Sequence, residues 1–352
     1  MAPPFRLAAA IPLIASLGLL GCANEGGGLQ SPKMATIQAR GRLVCGVDGK
    51  LPGFSFVTPD GSSKGMDVDI CRATAAALLG DPAKVDYRPL DVTDRFAALA
   101  SGEVDLLSRN TTYTLSRDAA GGNAMSFAPT VFYDGQGVMV PSGSGIQDLK
   151  DLAGKPICVP SGSTSELNLA NRMRELGLPY TPLKFQTLDQ TYAAYLSARC
   201  SAVSTDRSQL AAKRSSFPDP AAHALLPVVM SKEPLTPATV NADPVWADAV
   251  RWVVYALFQA EELGITQANV EAKLAEAKAN PALADLRRFL GVEGSFGQQL
   301  GLKPDFVVRL IKAGGNYGEI YERNLGNGSS LKLDRGHNRL WKDGGLLYSP
   351  PF

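Results

Sequence analysis

"KVDYRPLDVTDRFAALASGEVDLLSRNTTYTLSRD", residues 84–118, holds a strand–helix–strand unit and then a change of character. "KVDYRPL" predicts a strand, "TDRFAALASG" a helix and "EVDLLS" the next strand. After Leu107 come Ser108, Asn110, Thr111, Thr112, Tyr113, Thr114 and Ser116, with Arg109 and Arg117 set among them. A strand that ends in so many short hydrogen-bonding groups either opens into a solvent loop or meets a ligand that needs many partners.

The same alternation extends both ways. Upstream, "GRLVCGV" (41–47) is β-rich and ends in the turn "DGKLPGF". "GMDVDICRATAAALLG" (65–80) is helical, with Val68, Cys71, Ala75 and Leu78 at helical spacing and Gly80 as the stop. Downstream the pattern restarts with "GQGVMVP", "KPICVPSGS", "TSELNLANRMRELGL", "YTPLKFQ", "TLDQTYAAYLSAR", "CSAVSTD" and "RSQLAAKRSS". These are the elements of two α/β units with parallel, doubly wound sheets. The Pro-rich "LLPVVMSKEPLTPATV" leads back to the first unit, and "WADAVRWVVYALFQAEELGI" is a long helix with Val250, Val253, Val254, Leu257 and Phe258 on one face. Two lobes joined by two β connections make a hinged cleft. Lobe 1 is expected over 38–135 plus 233–352, with a C-terminal extension, and lobe 2 over 136–232.

Composition excludes some partners. Lys plus Arg number 35 against 34 Asp plus Glu, with no basic run, so no nucleic acid is expected. The two histidines, His223 and His337, sit beside no Cys or acidic cluster, and neither a metal nor another cofactor is expected. At the N-terminus, Arg6 precedes "LAAAIPLIASLGLLG", the pattern of a secretory signal over 1–21. "LLGC" (19–22) resembles a bacterial lipobox, which implies cleavage before Cys22 and acylation of its thiol. A Gly-rich tether is expected over 22–37. The remaining cysteines, Cys45, Cys71, Cys158 and Cys200, are even in number in an exported chain. Three pairings are open, as are free thiols; the local choice is Cys45–Cys71 and Cys158–Cys200.

Four features bear on a ligand. Arg117 offers a guanidinium fork that matches a carboxylate, with Thr112 and the backbone near Arg109 and Asn110 as neutral donors. "SGSTSE" (161–166) opens a helix whose free amides favour an anion, while Ser163 and Glu166 also fit a capping box. Asp206, at the end of "CSAVSTD", offers a carboxylate to an ammonium group or an N-cap to the next helix. Leu51 and Phe54 of "GKLPGF" offer either apolar contact to a ligand or core packing. Arginine and helix N-terminus for a carboxylate, with aspartate for an ammonium, describe a receptor for a zwitterion such as a free α-amino acid.

"GMDVDICRATAAAL" resembles the signature of the family 3 extracellular solute-binding proteins, receptors of polar amino-acid ABC importers. "RNTTYTLSRD", "GNYGEIYERN" and "GGLLYSPPF" resemble its general L-amino-acid-binding branch. The resemblance spans essentially the whole mature chain. It implies a type II periplasmic-binding-protein fold, closing like a Venus flytrap, and Arg117, Thr112 and the Asn110 backbone on the α-carboxylate. It further implies Ser163 and Thr164 as second-lobe contacts to that carboxylate, and Asp206 on the α-ammonium. Arg109 departs from the small residue of many narrower members and is a candidate for the ligand side chain. The expected partners are an L-amino acid, an ABC permease with its ATPase, and the membrane through the lipid anchor, on the cell-envelope or periplasmic side. The rival class is a periplasmic cyclohexadienyl or arogenate dehydratase, which needs a cleft acid with a raised pKa. No membrane span follows the second unit, as expected of a stand-alone receptor rather than a sensor input domain.

Overall fold

The computed structural model describes Met1 and residues 31–352, so the signal segment, Cys22 and the tether up to residue 30 lie outside the described residues. The chain is helical from Pro32 to Arg40, so the last residues of the stretch read as tether (22–37) are helical and the helix runs on into lobe 1. Ser31 caps this helix, Pro32 occupies its first turn, and Met34 and Ile37 are buried. Asp243 pins its start, accepting from the Ser31 hydroxyl (2.7 Å) and the Lys33 N–H (2.9 Å).

Two five-stranded sheets form two lobes. In lobe 1 the order is Val85–Pro89, Leu43–Val47, Leu106–Leu107, Ala238–Val240, Met125–Phe127. In lobe 2 it is Thr181–Phe185, Pro156–Pro160, Ala202–Asp206, Gln136–Pro141, His223–Leu225. The first three strands of each sheet are parallel, as the alternating pattern predicts. The fourth runs antiparallel to both of its neighbours, so each sheet is mixed rather than all-parallel. Those two strands, Ala238–Val240 and Gln136–Pro141, are the ones that directly follow a passage between the lobes. The passages themselves, Phe132–Asp134 and Glu233–Leu235, pair antiparallel as a two-strand hinge.

Each lobe carries one disulfide. Cys45 on the first strand joins Cys71 on the helix Met66–Leu79, and Cys158 joins Cys200, with Cα separations of 6.3 and 5.6 Å. The helix Pro244–Glu262 buries Trp246, Val250, Val253, Val254, Leu257 and Phe258, and the Trp246 indole donates to the Asp105 carbonyl at 2.9 Å. The C-terminal helices continue that core: Phe306–Gly314 lies against Met66–Leu79, and the Tyr317 hydroxyl donates to Val131 O (2.6 Å) beside the hinge.

Leu51 and Phe54 belong to this core and not to a ligand surface. Phe54 is 1% exposed and meets Phe132 edge-on at 5.4 Å. Its carbonyl accepts from the Asp67 N–H (2.9 Å), and a Cβ on Gly65 would sit 2.1 Å from that oxygen. The glycine that opens "GMDVDI" is therefore required by the close approach of the turn carrying Phe54, which turns the ring inward.

Candidate functional site

The parallel strands of both sheets end at the cleft, the usual ligand position in open α/β sheets. From lobe 1 comes the polar stretch after Leu106–Leu107, and most of its groups hold the loop itself. Ser108 and the Asn110 N–H bond to Asp67, and the Thr111 hydroxyl donates to Arg109 O at 3.1 Å. Arg109 is 2% exposed; its Nε donates to Leu90 O (2.6 Å) and its Nη2 to Asp48 Oδ2 (2.9 Å). The sequence leaves open whether it reaches the ligand side chain; in the structure it braces the loop. An arginine buried in a loop is stable only when paired, and Asp48 supplies the pair. Tyr113 stacks on Phe127, while Thr114 and Ser116 bond to each other at the surface. Asn110 adopts the left-handed conformation (φ 41°), and both polar atoms of its side chain are buried without partners.

Arg117 lies in the short helix Leu115–Asp118, is buried, and has its guanidinium 5.1 Å from the Phe96 ring. Its Nη1 donates to Thr112 O at 2.7 Å, and it makes no ion pair among the described residues. Burial pushes its pKa below the usual range, against the pull of Glu233 and Asp206. A buried guanidinium fork without a carboxylate is the group the sequence assigns to the ligand's carboxylate.

From lobe 2 comes Asp206, at the end of a fully buried strand. Its Oδ2 accepts from Gln209 Nε2 (3.1 Å), and its Oδ1 is buried with no partner. Burial holds this carboxyl well above the ordinary carboxylate range, helped by Glu233 and Asp134, while Arg95 and Arg117 draw it down. Asp206 does not cap its own helix. The helix Thr164–Glu175 points its N-terminus into the same region. Ser163 caps it, accepting from the Glu166 N–H (3.1 Å) and donating to Pro160 O (2.6 Å). Glu166 reaches the Gly162 N–H instead of closing the reciprocal box on Ser163. Thr164 and Thr112 bring their hydroxyls to 3.4 Å across the lobes. At the cleft mouth, Lys50 of lobe 1 pairs with Asp189 of lobe 2 at 2.6 Å. The lobes are thus shut on each other.

Three residues join the site that the sequence reading does not single out. Arg95 opens the helix Arg95–Ser101, is 4% exposed, and has an unpartnered Nε. Burial, then Arg117 and Arg109, push its pKa down, and Asp206 and Asp48 oppose that. A cation in the first turn of a helix opposes the helix dipole, and that local conflict was the available signal. Tyr192 is buried with a free hydroxyl, its pKa raised by burial, Asp206 and Asp48. Glu233 on the hinge strand accepts from Thr112, Thr164, Asn168 and Ser231. Among the described residues, no cluster of His, Cys, Asp and Glu has the makings of a metal site, and no helix is long and apolar enough to cross a membrane.

The arrangement presents an unpaired cation and an unpaired carboxylate from opposite lobes, as a binding site for a zwitterion would. A model of the bacterial extracellular solute-binding proteins, family 3, matches residues 43–327. The chain belongs to that family. The receptor is 45% identical to the general L-amino acid-binding periplasmic protein of Rhizobium johnstonii, over 96% of this chain and 98% of that one. It is 44% identical to the glutamate/glutamine/aspartate/asparagine-binding protein of Rhodobacter capsulatus, over 93% and 95% of the two chains. Among solved structures, a periplasmic binding protein from Brucella ovis with glutathione bound superposes with a TM-score of 0.86 at 46% identity, covering 92% of this chain and 99% of that one. The two curated relatives are named as amino-acid-binding proteins, and the Brucella structure as an ABC transporter periplasmic binding protein. The receptor is accordingly an amino-acid solute-binding protein of the ABC-importer class rather than an enzyme, and the dehydratase alternative finds no support among them.

Proposed function

We propose that the receptor captures a free L-amino acid between its lobes, with Arg117 on the α-carboxylate and Asp206 on the α-ammonium. Arg95 then faces the ligand side chain and favours acidic and amide side chains, in place of Arg109. The observation that carries this reading is the pair of buried, unpaired, opposite charges on different lobes, Arg117 and the Oδ1 of Asp206. Because ligand contacts come from both lobes, binding favours the closed form, and that form docks on the importer's permease and ATPase. Backbone N–H groups of Thr112 and Thr164, which bond to no other group among the described residues, add to the carboxylate end. The names of the Rhizobium and Rhodobacter relatives point the same way.

Calorimetry of the mature chain against L-glutamate, L-glutamine, L-alanine, L-arginine and D-glutamate tests the reading. Tight binding of L-glutamate and L-glutamine and loss of the D-isomer are expected; equal affinity for both enantiomers would overturn it. The glutathione in the Brucella structure favours a second reading, a γ-glutamyl peptide whose glutamyl end is itself an α-amino acid. Glutathione binding tighter than any free amino acid would establish that one. We also place the protein on the envelope membrane by acylation of Cys22. Cys22→Ala should release it in soluble form, and retention on membranes at high salt would contradict the anchor.

A further inference from the structure

Glu233 is 1% exposed, yet its carboxylate receives four side-chain hydrogen bonds. Its Oε2 takes the hydroxyls of Thr112 (2.6 Å) and Thr164 (2.9 Å), one from each lobe. Its Oε1 takes Asn168 Nδ2 (2.7 Å) from lobe 2 and Ser231 Oγ (2.6 Å) from the approach to the hinge. The backbone around it is fixed to lobe 1 and to the partner hinge strand. Tyr113 N–H donates to Pro234 O, Thr236 N–H donates to Thr111 O, and Glu233–Leu235 pairs with Phe132–Asp134.

A hydroxyl carries one proton. With those of Thr112 and Thr164 given to Glu233, neither side chain has a proton left for a ligand carboxylate. The two threonines can offer that carboxylate only their backbone N–H groups, as the Proposed function has them do. Bonds to a carboxylate are stronger than neutral ones and hold a preferred geometry. The bonds to Thr112 on one side and to Thr164 and Asn168 on the other also need both lobes against the hinge at once.

We propose that Glu233 is a positioning residue for ligand capture, a hinge carboxylate that binds the hydroxyls of Thr112 and Thr164 in the closed receptor. It aims their backbone N–H groups at the ligand and slows reopening without touching the ligand itself. The proposal rests on the assignment of Arg117 and these backbone groups to the α-carboxylate. Its stabilising effect falls on the closed form and is the same for every ligand.

Release of L-glutamate and of L-glutamine from the mature receptor, followed by stopped flow, tests it alongside the lobe separation measured by small-angle scattering. In Glu233→Ala, dissociation should speed up at least about tenfold for both ligands, as expected when charge-assisted bonds are lost, with association changed less than about threefold. The ligand-free lobes should also move apart. Asn168→Ala removes one donor without disturbing the ligand contacts and should give a smaller increase of the same kind. The double variant should be no faster than Glu233→Ala alone. Glu233→Gln, which keeps the shape and one acceptor oxygen, should restore part of the slow release. Unchanged dissociation in a Glu233→Ala protein that still unfolds cooperatively would overturn the proposal, as would an increase confined to one ligand, which marks direct contact. If Glu233→Ala does not fold, Asn168→Ala decides: unchanged release and lobe separation overturn the proposal. Arg117→Ala run in parallel separates the two assignments. Retained affinity there removes the carboxylate reading, while the hinge role stands or falls on release rate and lobe separation.

Discussion

Asp206→Asn should weaken amino-acid binding by more than about 100-fold at pH 7 while raising the melting temperature of the ligand-free receptor. The buried carboxyl keeps Oδ2 on Gln209 and leaves Oδ1 without a partner. Asparagine can preserve the Gln209 bond, but it puts an N–H2 group where the ligand's ammonium must donate. Removing one member of a buried charge pair costs about 3–5 kcal/mol, or at least about two decades in affinity. Stability moves the other way. Burial, Glu233 and Asp134 hold the Asp206 pKa above its unfolded value, so its contribution to stability is present below the unfolded pKa and is lost as pH rises through the folded one. Asparagine carries no such loss, so the variant's advantage should be clear at pH 7 and vanish near pH 4. Calorimetry with L-glutamate and thermal unfolding without ligand, on the same samples, read both effects. Wild-type affinity in Asp206→Asn, or a lower ligand-free melting temperature at pH 7, would refute the reasoning.

Arg117→Ala should abolish binding of every amino acid in calorimetry without loss of the native circular dichroism, since among the described residues its guanidinium makes one hydrogen bond, to Thr112 O. Lys50→Ala breaks the exposed pair with Asp189 across the cleft mouth. Such pairs contribute about 0–1 kcal/mol, so ligand release should quicken by no more than about fivefold, and less at high salt. Asp67, pushed up to about 7 by burial and then by the charge on Asp48, binds a proton in the native state that the unfolded chain releases from about pH 4. Its contribution to stability therefore fades between those values, and Asp67→Asn should flatten the decline in melting temperature over that range. Parallel pH profiles for variant and wild type would contradict the assignment.

The alternation of strands and helices was legible because each α/β unit is local, with neighbours in sequence pairing in the sheet. Arg117 and Asp206 stand out in the sequence for a related reason, one being a charged group in the polar loop after Leu106–Leu107 and the other closing its own strand. Arg109 shows the limit. Its side chain is settled by Asp48, 61 residues away, and no local pattern distinguishes a brace from a ligand contact. Phe54 depends likewise on the turn that packs against Gly65. Glu233 is the extreme case, a carboxylate in a Pro-rich connection whose partners lie 121, 69 and 65 residues back. The start of the first helix was in the sequence, in the Ser31–Pro32 capping signal, but the glycines before it read as one continuous tether.

A crystal structure of the mature receptor with L-glutamate bound is the most direct test of the zwitterion site. The α-carboxylate should lie on the Arg117 guanidinium and the α-ammonium within hydrogen-bond distance of Asp206 Oδ1, with the lobes closed around them. A ligand whose ammonium lies away from Asp206, or whose α-carboxylate is held by a group other than Arg117, would contradict it.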